Sequence, residues 1–486
     1  MDFAKKISAV RPYSRNQKNS DRFYLAEQFE SDRGRIIQSA AIRRLQQKTQ
    51  VFPLENNSAV RSRLTHSLEV QQTGRHIVRT IFKKLQDEKQ DYGLKDYERE
   101  IESLVEMSCL MHDIGNPPFG HFGEAAINEW FSHHLDKHVL FAQADNKMLA
   151  LQLKHELKNF EGNAQAFRII FNLLKLNLTY SQAASILKYT RCGLEQRPEK
   201  EKPLSYLKKK VGFYYSELPN IEQMNEHLDI KSGHRYPLAY LMEAADDISY
   251  CLADIEDGVE KGLMDCDKLA DSLKSTFNSL AGEDSETAFL KKKSFAQAVD
   301  YALSRSHKEP INKSHEFFVW LRVQLIHPLV DHAADSFINN IEAVYEGSLN
   351  RALLEDNSLY HHMIATFKSV AIKHIFSTSE VETKELQGFR VISGLLKAFE
   401  PLLLCSTETF QDMVQGKKRG GLIEARLFKR LANKHLKAYL QVVEPLKSGR
   451  DFILLEFYYR CRLIQDHVSG MTDQYALEEY RNLHPN

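Results

Sequence analysis

The chain has 486 residues, of which 43% are hydrophobic and 27% are charged, so it can bury a sizeable core and is not disordered throughout. Lys plus Arg and Asp plus Glu both number 65. The resulting net charge of zero argues against a protein that coats nucleic acid or an anionic membrane with its whole surface.

No stretch of the sequence approaches the roughly 18 uninterrupted apolar residues that a membrane span needs. The amino-terminal residues lack the apolar run of a secretory signal. The six cysteines lie far apart and form no Cys-x-x-Cys pair, which is typical of a reducing compartment. We therefore expect a cytoplasmic protein that does not enter a membrane.

Apolar residues recur at helical spacings of three and four along most of the chain, whereas alternating strand patterns are few and short. The predicted fold class is mainly α. Amphipathic helices are predicted at residues 26–48, 65–87, 100–113, 237–257, 315–345 and 421–442. Polar stretches predict loops at 190–210, 282–293 and 305–314.

The boundary signals along the chain are weak. We expect a first region at 1–264 with an insertion around 130–235, and a helical carboxy-terminal region at 265–486 that packs on it and completes the pocket. One large helical domain with insertions explains the same pattern equally well.

The segment 101–124 carries the most informative residues. On its predicted helix, His112 shares a face with apolar residues, and Asp113 follows directly. The helix is expected to end there, because Gly115 can take a left-handed conformation and the two prolines from Pro117 cannot continue it. A buried His-Asp pair needs a partner. A plain buried ion pair, or a histidine bonded to a backbone carbonyl, is the alternative to a functional site.

Two other predicted helices carry matching side chains. His66 lies at the start of the helix at 65–87, for which Thr65 is a plausible N-cap. The third helix is expected to start at Pro237 and to end at Gly258.

On this third helix, Asp246, Tyr250 and Asp254 recur at a spacing of four and so share one stripe. Stacked carboxylates repel each other unless a cation or a hydroxyl-rich ligand lies between them. A solvated acidic face is the alternative. Two histidines and two aspartates from three helices would suit Mn, Fe, Ni, Zn or partly hydrated Mg. Spacing alone does not choose between Asp246 and Asp247.

The order His66, His112-Asp113, Asp246 resembles the H…HD…D signature of the HD-domain phosphohydrolases. Longer segments resemble one family of that superfamily, the deoxyguanosinetriphosphate triphosphohydrolases (dGTPases) of enterobacterial type. These segments span nearly the whole chain and lie at residues 32–54, 60–72, 111–128, 160–168, 245–258 and 458–473.

The resemblance implies an HD-type helical core within 1–264 and metal-dependent hydrolysis of dGTP to deoxyguanosine and inorganic triphosphate, which would control the deoxynucleotide pool. Mg²⁺ is the expected metal, with Mn²⁺ or another transition metal as the alternative. The family pattern of Tyr at +4 and Asp at +8 selects Asp246 over Asp247. The implied metal ligands are then His66, His112, Asp113 and Asp246.

The resemblance also implies that His121 and Glu124 form a catalytic dyad at the α-phosphate. The other implied contacts are to the phosphates (Lys188, Tyr189, Lys210), the sugar (Tyr250, Asp254), the guanine (Glu385, Arg426) and further parts of the substrate (Gln50, Asn163). Lys208 and Lys209 are expected to be solvated.

Family members form homohexamers and respond to single-stranded DNA, so the resemblance implies both properties here. One alternative function is that of another HD-domain phosphohydrolase, such as a broader dNTP triphosphohydrolase or a nucleotide phosphodiesterase. The other is a DNA- or nucleotide-binding regulator with a vestigial site.

The zero net charge conceals a local separation of charge. Residues 33–63 carry seven basic side chains and one acid, whereas residues 241–260 carry seven acids and no base. A site that holds a divalent cation beside a polyanion needs both signs close together.

Overall fold

A computed structural model describes residues 1–13, 22–55, 57–136, 138, 140–141, 144–417 and 420–484. These residues are mainly helical, which confirms the predicted fold class. Their sheet structure is one parallel pair, β1 (Arg191–Cys192) and β2 (Val211–Phe213). Among the described helices, none combines the length and apolar character needed to cross a membrane.

The amino-terminal half contains ten α-helices in its described part, with short helical turns at Phe3–Lys6, Ile169–Leu173 and Tyr215–Glu217. In chain order the α-helices are α1 (Arg22–Ile37), α2 (Ala40–Leu45), α3 (Arg63–Asp87), α4 (Glu98–Met111), α5 (Gly120–Leu135), α6 (Lys147–Leu157), α7 (Gly162–Arg168), α8 (Tyr180–Ala184), α9 (Leu218–His227) and α10 (Pro237–Glu260).

The remaining described residues form eleven α-helices, with short helical turns at Gly282–Glu286, Ile372–Phe376 and Glu444–Ser448. They are α11 (Cys266–Ala281), α12 (Phe295–Lys308), α13 (Lys313–Asn339), α14 (Ile341–Glu346), α15 (Leu359–Ala371), α16 (Ser379–Leu404), α17 (Thr407–Val414), α18 (Leu422–Phe428), α19 (Asn433–Val443), α20 (Phe452–Ser469) and α21 (Asp473–Leu483).

Three of the predicted helices are each divided into two. The helix predicted at 26–48 breaks before α2, where the Ser39 hydroxyl accepts a hydrogen bond from the backbone N–H of Ile42 at 3.3 Å. A side-chain acceptor of this kind starts a new helix instead of continuing the old one. The helices predicted at 315–345 and 421–442 also break, at Asn340 and at residues 429–432, but no side-chain cap starts the helix that follows either break.

The predicted loops are partly structured. The stretch 190–210 contains β1, and 282–293 begins with a helical turn. The loop predicted at 305–314 is shorter, because α12 continues to Lys308 and α13 begins at Lys313.

Details at the ends of the site helices differ from the predictions. Thr65 is not the N-cap of α3: the Ser62 hydroxyl accepts from the Thr65 backbone N–H at 3.3 Å. The Thr65 hydroxyl in turn accepts from the Ser62 backbone N–H at 3.0 Å, which completes a reciprocal capping box. Pro237 occupies the first turn of α10 as predicted, but α10 continues through Gly258 to Glu260.

Gly115 serves close packing and not a left-handed turn. Its φ is not positive, and the left-handed residues of this loop are Phe119 and Gly120, with φ of 61° and 56°. A Cβ atom on Gly115 would lie 2.0 Å from the carbonyl oxygen of Gly162. The loop after α4 can therefore approach the start of α7 only if residue 115 lacks a side chain.

The hydrophobic core consists of two large clusters. One joins α1, α3, α4 and α10 to α11–α15, and the other joins α5 and α6 to α16–α21. The first cluster holds the helices that carry His66, His112 and Asp246, and the second anchors α5 and α16. The domain boundary expected near residue 265 stays a prediction.

We predict opposite stability effects from alanine at two glycines. Gly115→Ala should lower the free energy of unfolding by about 1–3 kcal/mol, because its new Cβ meets rigid backbone. Gly34→Ala, within α1, should raise it by about 0.5–1 kcal/mol, because nothing lies within 4 Å of the added atom. Urea unfolding of both variants measures the difference. A Gly115→Ala protein as stable as the parent would contradict the close approach.

Candidate active site

A cavity of about 490 Å³ is lined by residues of α3, α5, α7, α10 and α16 and by the loops between helices. Two of the fifteen predicted site residues are not in its lining: His66, which is fully buried, and Arg426, which is exposed on α18. The other thirteen line it: Gln50, His112, Asp113, His121, Glu124, Asn163, Lys188, Tyr189, Lys210, Asp246, Tyr250, Asp254 and Glu385.

His66, His112 and Asp246 form a group whose candidate ligand atoms all lie within 4.8 Å of one another. Asp246 Oδ1 is 3.4 Å from His66 Nε2 and 3.5 Å from His112 Nε2. His112 Nδ1 lies 2.7 Å from the Cys109 carbonyl oxygen, which can only accept, so Nδ1 carries the proton in the neutral ring. Nε2 then presents its lone pair to the group. These residues fit a divalent metal ion.

Asp113 lies beside this group, and both of its oxygens are engaged. Arg63 Nη1 donates to Oδ2 at 2.5 Å and Asn116 Nδ2 donates to Oδ1 at 2.6 Å, while Oδ1 lies 3.6 Å from His112 Nε2. Burial opposes ionisation, but Arg63 and His112 lower the pKa of Asp113 below its usual value. The carboxylate is therefore ionised and positioned at the edge of the cavity.

Asp246 and Asp247 face different partners, although they are adjacent in the chain. Asp247 Oδ1 accepts a hydrogen bond from Lys368 Nζ at 3.0 Å and does not line the cavity. Asp246 faces the two histidines, and its Oδ2 lies 3.8 Å from Lys188 Nζ. The helical geometry thus separates two carboxylates that spacing alone left equivalent.

His121 lies in the first turn of α5, and Glu124 comes directly after that turn. The backbone N–H of Phe119, just before this helix, donates to Asp473 Oδ1 at 3.0 Å and so fixes the turn. Burial lowers the pKa of His121, as do Lys210 and Arg63, so the imidazole is neutral and can accept a proton near neutral pH. Among the described residues no hydrogen bond joins His121 to Glu124.

Glu124 faces a second carboxylate, that of Glu161. Its Oε2 accepts from the backbone N–H of Gly162 at 3.1 Å. Burial and the neighbouring Glu161 raise the pKa of Glu124 to about 8. The Glu124 carboxyl group is therefore largely protonated near neutral pH.

Two lysines enter the cavity from the segment around the small sheet. Lys188 Nζ lies 3.6 Å from Glu243 Oε1, and Lys210 Nζ lies 3.2 Å from Glu161 Oε2. The expectation that Lys209 is solvated is wrong, because it is half-buried with Nζ 3.8 Å from the centre of the Tyr206 ring. Lys208 pairs with Glu195 at 2.9 Å.

The cavity lining also contains buried polar groups without hydrogen-bond partners among the described residues. Asp254 is 1% exposed, and neither of its carboxylate oxygens has a hydrogen-bond partner among the described residues. Burial raises the pKa of Asp254 to about 7. Gln50 Oε1 is likewise buried and unpaired. Such groups are costly without a ligand, so they mark where a polar molecule would bind.

Several lining residues were not predicted from the sequence. Arg63 holds Asp113, and Glu161 contacts Glu124, Lys210 and Asn163, whose Nδ2 donates to Glu161 Oε1 at 2.6 Å. Both lie inside segments that carry the family resemblance, 60–72 and 160–168. No spacing rule distinguishes them from other charged residues there.

The chain is similar to known proteins over its full length. Residues 63–202 match the family model described as HD domain. A probable deoxyguanosinetriphosphate triphosphohydrolase of Pseudomonas aeruginosa is 51% identical, and 99% of each chain is covered. The deoxyguanosinetriphosphate triphosphohydrolases of Yersinia pestis (strain Pestoides F) and Serratia proteamaculans are 46% and 47% identical, again with 99% of each chain covered. The chain therefore belongs to the deoxyguanosinetriphosphate triphosphohydrolase family of HD-domain hydrolases.

Proposed function

We propose that this protein hydrolyses dGTP at the α-phosphorus and releases deoxyguanosine and intact inorganic triphosphate. The observation that carries the proposal is one cavity lined by His112 and Asp246 of the histidine–aspartate group, by two lysines, and by the unpaired Asp254. The full-length similarity to named dGTP triphosphohydrolases supports the same substrate.

We propose that a divalent ion, with Mg²⁺ as the first candidate and Mn²⁺ or another transition metal as the alternative, is held by His66, His112, Asp113 and Asp246. When bound, such an ion polarises a phosphoryl oxygen and lowers the pKa of water. The grouping of three of these side chains and the proton on His112 Nδ1 support this assignment.

The chain's own residues would then transfer protons and stabilise negative charge. His121, neutral near neutral pH, transfers a proton at the attacking or leaving oxygen. Glu124 positions His121 once bound substrate has separated Glu124 from Glu161. Lys188, Tyr189 and Lys210 hold the triphosphate, and the two ammonium groups offset the charge that develops during cleavage.

Selectivity for a deoxyribonucleotide would arise on α10. Tyr250 packs against the sugar where a ribonucleotide carries its 2′-hydroxyl, and Asp254 accepts from the 3′-hydroxyl, which satisfies an otherwise unpaired carboxylate. Glu385, in the cavity lining, accepts from the guanine N1 and N2 hydrogens. Gln50 and Asn163 supply further contacts, and Arg426 as a guanine ligand stays a prediction.

The remaining expectations are carried forward as proposals. They are a catalytic core at 1–264 whose pocket is completed by the carboxy-terminal region, a homohexamer, an interaction with single-stranded DNA, and a cytoplasmic location. Phe376 and Glu385, which line the cavity, support the first of these. Leu422 and Ile423, strongly exposed on α18, support contact with another chain.

The substrate proposal is tested by incubating the protein and Mg²⁺ or Mn²⁺ with each common ribo- and deoxyribonucleoside triphosphate, then resolving the products. We expect dGTP to be preferred and to yield uncleaved triphosphate. Equal turnover of all deoxynucleotides would favour a broader triphosphohydrolase, and phosphodiester cleavage would favour a phosphodiesterase. Absence of any turnover would favour a binding regulator.

We predict that His121→Ala separates catalysis from binding. Loss of this proton-transfer group should lower kcat by on the order of 10²–10⁴. Calorimetry should show dGTP and Mn²⁺ affinities within a few-fold of the parent, because His121 is not in the metal group. Retained turnover would rule out the assigned role.

We also predict that adjacent aspartates differ in metal binding. Asp246→Asn should strongly weaken Mn²⁺ binding, because it removes the carboxylate that faces both histidines. Asp247→Asn, which removes the carboxylate bonded to Lys368 and keeps the one that faces the histidines, is the matched control and should bind Mn²⁺ normally. Calorimetric titration of the metal-free proteins distinguishes the two. Equal loss in both variants would be inconsistent with the proposed ligand set.

A further inference from the structure

A second cavity, of about 360 Å³, adjoins the candidate active site. Three side chains, Glu124, Glu161 and Lys210, line both cavities and so form the wall between them. The remainder of the second lining comes from α5, from α6 and the residues that follow it, and from the segment around β1 and β2.

The lining of the second cavity is strongly cationic. It contains Arg191, Arg197, Lys209 and Lys210, whereas its only carboxylates are those of the shared wall. In the described part of the chain, no carboxylate lies within 4.0 Å of the charged groups of Arg191, Arg197 or Lys209; Lys210 alone is paired, with Glu161. Three of the four basic side chains in the lining, those of Arg191, Arg197 and Lys209, therefore have no counterion at ion-pair distance, a condition that attracts anions.

Part of this positive charge lies in the protein interior, on the guanidinium of Arg191. Its side chain is 5% exposed, and its guanidinium donates to two backbone carbonyls, those of Lys208 at 2.9 Å and Glu195 at 2.6 Å. These contacts fix its position and supply no counterion at ion-pair distance, so that only the longer-range attraction of Glu195 and Glu161 offsets its charge. A buried charge without a counterion is costly, so its retention favours a site that binds an anion.

A second unpaired group lines the same cavity. His155 Nε2 is buried and has no hydrogen-bond partner among the described residues, while Nδ1 of the same ring lies 3.3 Å from Gln196 Nε2. Lys209 is held on the Tyr206 ring and does not extend into solvent. The lining thus offers two positioned cationic groups, Arg191 and Lys209, beside the exposed Arg197, and such donors suit phosphate oxygens.

We propose that this second cavity binds a linear polyphosphate chain and receives the inorganic triphosphate product through the wall formed by Glu124, Glu161 and Lys210. The inference rests on the proposed function for the identity of that product. Lys210, which lines both cavities, contacts the anion on either side of the wall. Arg191, Arg197 and Lys209 hold it after it leaves the active site, so that product and nucleoside separate.

The same lining would also suit the phosphates of a second nucleotide. The test therefore distinguishes inorganic triphosphate from a nucleotide as the ligand. Inorganic triphosphate is titrated calorimetrically into the parent protein, an Arg197→Gln/Lys209→Gln double variant, and a Lys208→Gln control. Lys208 belongs to the same lysine run but pairs with Glu195 and does not line this cavity. Parallel titrations with dGTP in the presence of a chelator report nucleotide binding without turnover.

We expect two triphosphate sites per parent chain, one of them weakened at least about tenfold in the double variant and unchanged in the control. We expect a single dGTP site in all three proteins. Two unaltered triphosphate sites in the double variant, or an equal loss in the control, would overturn the proposal. A second dGTP site lost in the double variant would assign the cavity to a nucleotide and overturn its role for the product.

Failure of the proposed function is distinguishable from failure of this inference. The triphosphate titration needs no turnover, so it stands whether or not dGTP is hydrolysed. Absence of dGTP turnover by the parent protein would refute the proposed function while leaving a measured polyphosphate site in place.

Discussion

The buried acidic stripe of α10 is the constraint on which the site depends. A helix that buries this many carboxylates is stable only if cations or hydrogen-bond donors from other elements meet them. The pairs on the described chain include Glu243 with Arg235 and Lys188, Asp246 with His66 and His112, Asp247 with Lys368, Glu256 with Arg61 and Arg322, and Asp257 with Arg61. Asp254 alone has no such partner, and it faces the cavity.

This pairing also accounts for the separation of basic and acidic residues in the sequence. The basic segment 33–63 and the acidic segment 241–260 meet directly, since Arg61 Nη1 lies 2.5 Å from Asp257 Oδ1 and Arg61 also contacts Glu256. Arg61, just before α3, therefore holds the start of that helix against α10. The charged groups available to a ligand are the smaller set that lines the two cavities.

The fold class and the grouping of His66, His112 and Asp246 could be predicted because they depend on periodicity and on a recurring motif. Helix ends and breaks could not, since they depend on contacts distant in sequence. In the sequence, Gly115 is predicted to end a helix. The requirement for glycine comes instead from the carbonyl of Gly162, far along the chain. The roles of Arg63 and Glu161 likewise depend on which residue the fold places opposite each of them.

Hydrolysis at the α-phosphorus is the central claim, and tracing the oxygen of the attacking water tests it most directly. The reaction is run with dGTP in water enriched in heavy oxygen, and the products are analysed by mass spectrometry. We expect the label in inorganic triphosphate and none in deoxyguanosine. Label in the nucleoside, or release of labelled orthophosphate or pyrophosphate as the primary product, would contradict attack at the α-phosphorus.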